Sequence, residues 1–178
     1  VVAAQAGLVA SSQTGGRHYA RFRHRLMFAV LDVQGRVVGF SGRTLPLPVG
    51  GDAAACKEPA KYVNTNESHV YTKGKQLFGL YQGKNTIRRT DEAVLVEGNF
   101  DVVSAHARGL DNVVAPLGTA FTAEQAALLK RFGTKVILAF DGDVAGKKAT
   151  IASREACSNV ALSARVASIP VGMDPDAF

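Results

Sequence analysis

Tryptophan is absent from this 178-residue chain, and cysteine and methionine occur twice each. Cys56 and Cys157 stand alone, far apart in sequence. They make no zinc-type pair, so a finger or ribbon site is not expected, and reduced thiols suit a cytoplasmic protein. His18, His24, His69 and His106 lack ligand spacing, and no Ser/His/Asp set suggests a nucleophilic triad. No apolar run approaches the roughly 20 residues that a membrane span needs. The opening Val1-Val2-Ala3-Ala4-Gln5 has no basic leader. A first residue other than Met reads as a piece excised from a longer protein. Acidic residues are scarce in one half only. Residues 1–90 carry 13 Lys/Arg against 4 Asp/Glu, and residues 91–178 carry 8 against 11. A basic half beside an acidic half fits a protein that holds nucleic acid and works on its phosphates. The competing reading is a basic domain that binds nothing.

What the chain does have is two apolar runs that stop at carboxylates. Val94-Leu95-Val96-Glu97-Gly98-Asn99-Phe100-Asp101 is one, and Ile137-Leu138-Ala139-Phe140-Asp141-Gly142-Asp143 is the other. Such runs read as buried strands of a parallel sheet, and open α/β sheets place ligands beyond the strand C-termini. Asp141 and Asp143, two apart, point the same way if the chain is extended. Oxygen donors without Cys or His suit Mg²⁺ or Mn²⁺. Gly98 and Gly142 allow a sharp turn and close approach to phosphate. Any one of these acids alone would read as a solvated loop residue; Glu97, Asp141 and Asp143 at successive exits argue for a site. Asp174-Pro175-Asp176 offers a further pair, with a simple turn as its alternative. Asp101 has an equally good role as a first-turn acid of a helix.

Along the chain, Gly16 to Arg25 is basic with Tyr19 and Phe22 interleaved. Residues 26–31 and 36–43 form a hairpin pattern around Gln34-Gly35. Leu45 to Ala55 reads as a loop, Tyr62–Asn64 as a short strand, and residues 74–83 as a short helix. From Asp91 the pattern becomes regular. Strands are expected at 94–96, 113–115, 135–140 and 164–169, and helices at about 100–108, 122–132 and 144–158. Thr122 and Gln125 form a capping box. Strands alternating with helices imply a parallel βαβ sheet. Gly142 to Lys148 contains G-x-x-x-G-K, one residue short of a P-loop and without the following Ser/Thr, so a P-loop is rejected.

Glu-Gly-x-x-Asp at 97–101, followed by Phe140-Asp141-Gly142-Asp143-x-Ala145-Gly146, resembles the TOPRIM domain. Residues 21–28 (RFRHRLMF), 35–43 (GRVVGFSGR), 61–64 (KYVN), 73–81 (KGKQLFGLY), 117–120 (LGTA) and 174–176 (DPD) are similar, in order, to the bacterial replicative DNA primase family. Ala29 stands where the family has Pro, and Asn99 where an aromatic is common. The resemblance implies an α/β fold: a TOPRIM-type parallel sheet at 91–178 beside a smaller basic α+β subdomain at 1–90. It implies a nucleotidyltransferase that makes RNA primers on single-stranded DNA from ribonucleoside triphosphates. Its Mg²⁺ or Mn²⁺ would sit on Glu97, Asp141, Asp143, Asp174 and Asp176, with Glu97, Asp141 and Asp143 catalytic. Arg25, Arg43, Lys61, Tyr62 and Lys73 would hold template and nucleotide. The family's zinc domain and helicase-binding region are not represented here. A cytoplasmic monomer at the bacterial replisome is expected. The alternatives are a TOPRIM nuclease or topoisomerase fragment, or a binding module with a degenerate site.

Overall fold

The computed structural model describes residues 2–11, 18–46 and 60–168. The expected loop 45–55 falls mostly outside them, as do Cys56, Asp174 and Asp176. By packing, the chain divides into two compact units: 1–30 with 37–71, and 31–36 with 72–178. The helix at Leu80–Thr90, on the basic side of the 90/91 boundary expected from sequence, packs within the second unit.

In the first unit, helix α1 (Val2–Gln5) precedes strands β1 (Val9–Ser11) and β2 (His18–Ala20), which pair antiparallel. Strand β3 (Arg25–Leu31) lies beside β4 (Val37–Thr44), and β4 pairs antiparallel with β5 (Tyr62–Asn64), with Arg43 opposite Tyr62. The hairpin expected from sequence is present; its turn, residues 31–36, is grouped with the second unit, and Gly35 takes φ +89° there. Asp32 fixes that turn: its carboxylate accepts the N–H of Gln34 (2.9 Å) and of Arg36 (3.0 Å) and pairs with Arg36 Nε (2.7 Å). Burial pushes the Asp32 pKa up, but these donors together outweigh it and leave it lowered.

The second unit is built on a four-stranded sheet of order β7-β6-β8-β9, parallel throughout. Its strands are β6 (Glu92–Leu95), β7 (Val113–Val114), β8 (Lys135–Leu138) and β9 (Ser163–Val166). Among the described residues, four helices belong to it: α2 (Leu80–Thr90), α3 (Asn99–Ala107), α4 (Ala123–Lys130) and α5 (Val144–Ser158). β7 and β8 start where expected, β6 starts two residues and β9 one residue earlier, and all four end short of the expected bounds. The charged ends join the ladder: Glu92 pairs with Lys135, and the Arg165 guanidinium bonds the Glu92 carboxylate. Leu95 and Leu138 lie level in register and are fully buried. Each contributes roughly 1.5–3 kcal/mol by leaving water.

The helix expected at 74–83 is corrected. Residues 73–75 form a single 3₁₀ turn, and α2 begins only at Leu80. Gly79 is the break. It sits at φ +83°, where a side chain would press on Val102 and the Val113 carbonyl. From there Leu80, Gly83 and Ile87 form the buried stripe of α2 at helical spacing.

Candidate active site

Both acidic runs leave the sheet at its carboxyl edge. Glu97 stands two residues beyond β6, and Asp141 three beyond the neighbouring β8. The Asp141 N–H donates to Glu97 Oε1 at 3.2 Å, which ties the two exits together. Asp143 is in extended conformation as the N-cap of α5, its Oδ1 accepting the Gly146 N–H at 2.7 Å. Asp101 sits in the first turn of α3 and its Oδ2 accepts the Gly98 N–H at 2.9 Å. The helix-start role weighed for Asp101 is therefore present.

Glu97 feels all three neighbours. Burial first, then the Asp141 carboxylate, raise its pKa; Asp143 and Asp101 act in the same sense, and only the Asp141 N–H opposes them. Such a set of hard oxygen donors, close enough together for each to raise the Glu97 pKa, suits a divalent cation of the Mg²⁺ or Mn²⁺ kind. Among the described residues, no three acidic, His or Cys side chains already converge closely enough to hold one ion. Asp174 and Asp176 lie outside the described residues.

The basic residues expected to hold nucleic acid divide between the units. In the first, Arg43 lies with its guanidinium 5.8 Å from the centre of the Tyr62 ring. Arg25 donates to the carbonyls of Gly42 (3.1 Å) and Lys61 (3.5 Å), and Lys61 itself is exposed. Two neighbours were not read as site residues from sequence. Arg21 Nε donates to Asn64 O at 3.1 Å, and the exposed Arg23 lies 5.1 Å from the centre of the Tyr19 ring. Interleaved basic and aromatic residues in 16–25 were the available signal. Lys73 belongs to the second unit, on the 3₁₀ turn.

A parallel sheet whose exits carry Glu-Gly-x-x-Asp and Asp-Gly-Asp defines a Toprim-like domain. Two family models agree with that reading: DNA primase catalytic core, N-terminal domain, matches residues 1–84, and Toprim-like matches 94–178. A DNA primase of Halalkalibacterium halodurans is 41% identical over 176 residues, which is 99% of this chain and 28% of that protein. A DNA primase domain from Pseudomonas aeruginosa superposes with TM-score 0.86 at 37% identity, covering 99% of this chain and 53% of that one. A structure described as the DnaG primase catalytic domain bound to ssDNA gives TM-score 0.83 at 36% identity, covering 98% and 54%. The chain belongs to the bacterial DNA primase family. It spans little more than a quarter of the length of the curated relative.

Proposed function

We propose that this chain is the RNA-polymerase core of a DNA primase, which joins ribonucleotides on a single-stranded DNA template. The carrying observation is the hydrogen-bonded meeting of Glu97 and Asp141 at adjacent strand exits, with Asp143 and Asp101 close enough to raise the Glu97 pKa. In the reaction, a ribose 3′-hydroxyl attacks the α-phosphorus of a ribonucleoside triphosphate and pyrophosphate leaves. Glu97, Asp141 and Asp143, with Asp174 and Asp176, are the residues that would hold Mg²⁺ or Mn²⁺. The cation would supply charge neutralisation at the phosphates and align the attack. Glu97 has the raised proton affinity suited to taking up the hydroxyl proton or to binding the ion. Asp143 fixes the start of α5 while presenting its carboxylate at the same edge.

Arg25, Arg43, Lys61 and Lys73 would contact template phosphates and the triphosphate, and Tyr62 a base. Support comes from the placement of Arg25, Arg43 and Tyr62 on strands, of Lys61 directly before β5 and of Lys73 on the 3₁₀ turn, and from a relative whose structure is described as bound to ssDNA. Because Arg43 covers one face of Tyr62, a base would stack on the other face or displace the guanidinium. We assign residues 1–90 to template and nucleotide binding and 91–178 to metal-dependent chemistry, a division supported by the two family matches. The protein then acts as a monomer in the bacterial cytoplasm at the replisome, and meets the replicative helicase through a region beyond these residues.

The test uses the protein in its native length, with a single-stranded template and labelled ribonucleotides. Short template-directed RNA is expected. Cleavage or relaxation of supercoiled plasmid, without RNA synthesis, would assign it to the nuclease or topoisomerase branch instead.

A further inference from the structure

Gln125 is fully buried, yet its side chain makes hydrogen bonds in three directions. Its Oε1 accepts the Thr122 N–H at 3.0 Å, which is half of the α4 capping box. Its Nε2 donates to Lys73 O at 2.9 Å and to Gln76 O at 2.7 Å. Thr122 does similar double duty. Its Oγ1 accepts the Gln125 N–H at 3.1 Å and donates to Gly74 O at 2.6 Å. One capping box thus closes on the carbonyls of Lys73, Gly74 and Gln76, about 50 residues earlier in the chain. Helix capping needs none of those bonds across the chain.

The turn so held is Lys73-Gly74-Lys75, a 3₁₀ turn with no side-chain cap bond of its own. Its far side is pinned as well. Phe78 and Ala115 exchange backbone bonds, Phe78 N to Ala115 O at 2.8 Å and Ala115 N to Phe78 O at 3.1 Å. Ala115 is the first residue beyond β7, and β7 lies directly beside β6. α4 starts after the loop that leaves β7, so its N-terminus also lies toward the carboxyl edge of the sheet. The lysine turn is therefore fastened to the edge from which Glu97 and Asp141 emerge, on the β6 side.

We infer that Thr122 and Gln125 are positioning residues, which hold the Lys73 turn at the carboxyl edge so that its ammonium meets the triphosphate. This rests on the nucleotide role proposed for Lys73. The physical reason is entropic. Lysine is a point charge on a flexible stem, so its reach is set by how firmly its backbone is held. A turn held by three side-chain bonds presents the charge at one place, where a free turn would spread it. A buried amide suits the task because it both accepts the cap N–H and donates twice, which neither a carboxylate nor an apolar side chain can do.

The discriminating substitution is Gln125→Glu. It keeps an acceptor for the Thr122 N–H at a position where Glu is a favoured capping-box residue, but it removes both amide donors to the turn. In the 178-residue chain with Mg²⁺ and ATP as probe, three binding constants are measured: Gln125→Glu, Lys73→Ala and the double variant. Amide exchange across residues 72–78 and 123–130 is measured alongside. Gln125→Glu should weaken ATP binding by about tenfold and speed exchange at Lys75 and Gln76 by at least about tenfold, with α4 still protected. On the Lys73→Ala background the same change should cost less than about twofold, since the two act through one contact. If Gln125→Glu does not fold, Thr122→Val and Thr122→Ser take its place: the first should weaken ATP binding through Lys73, and the second, which keeps the hydroxyl, should restore it. Weakening by Lys73→Ala with no effect of Gln125→Glu, or equal losses with and without Lys73, overturns the positioning role alone. No effect of Lys73→Ala overturns the nucleotide role of that lysine and the inference with it.

Discussion

Replacing Gly146 by Ala probes how tightly the two aspartates are built together. Gly146 lies in the first turn of α5, and its N–H caps onto Asp143. A Cβ there would lie 2.9 Å from Asp141 C and 3.0 Å from Asp141 N, and would overlap the Asp141 carbonyl oxygen. The obstacle is backbone, so no side-chain rotation relieves it. Ala gains about 1 kcal/mol in helix propensity over Gly. Overpacking against fixed atoms costs roughly 1–3 kcal/mol, and more when backbone must move. The steric term wins, for a net loss of about 1–2 kcal/mol, which lowers Tm by roughly 2–8 °C. Relief requires the Asp141 peptide to move off α5, and that movement alters the spacing of Asp141 from Glu97 and Asp143. Mn²⁺ affinity, followed by calorimetry, should therefore fall in the same variant. An unchanged or raised Tm together with unchanged Mn²⁺ affinity would refute this reasoning.

Asp143 separates capping from charge. Asp143→Ala should lose about 1 kcal/mol of stability with its cap, whereas Asp143→Asn keeps a good N-cap and loses only the charge, so both should weaken Mn²⁺ binding but only the first should lower Tm markedly. Glu97 gives a pH signature. Its folded pKa is raised, so the folded state holds the extra proton, and its contribution turns unfavourable as pH rises through the folded pKa. Without divalent ions, Glu97→Gln should therefore stabilise the chain at pH 7 and lose that advantage below the ordinary carboxylate pKa; urea titrations across pH check both limbs. Single-stranded DNA affinity should fall with salt, and an Arg43→Ala, Lys61→Ala, Lys73→Ala triple variant should flatten that slope; an unchanged slope would remove these residues from the phosphate contacts.

Much of the second unit was legible because its signals are local. Apolar runs stopped by carboxylates mark β6 and β8, and Thr122 with Gln125 marks the start of α4. α5 begins and ends where the pattern placed it, at Val144 and Ser158. What the sequence hid depended on distant chain. The start of α2 is set by Gly79 fitting against Val113 and Val102, which no local pattern reports. The pairing of Val9–Ser11 with His18–Ala20 was missed because three-residue strands carry too little alternation to read. For the site, the meeting of Glu97 with Asp141 followed from the parallel topology, but the capping role of Asp143 did not, since its extended spacing from Asp141 suggested a ligand only. Gln125 shows the limit most clearly: its acceptor half was readable three residues away, and its donor half reaches residues 73 and 76.

The central claim is that the carboxylates at the exits of β6 and β8 form one divalent-cation site. A crystal of the protein soaked in Mn²⁺ tests it directly through the anomalous signal of the ion. Density among Glu97, Asp141 and Asp143, abolished by Asp141→Asn, is the expected result. A fully soaked crystal with no anomalous peak between these side chains would contradict it.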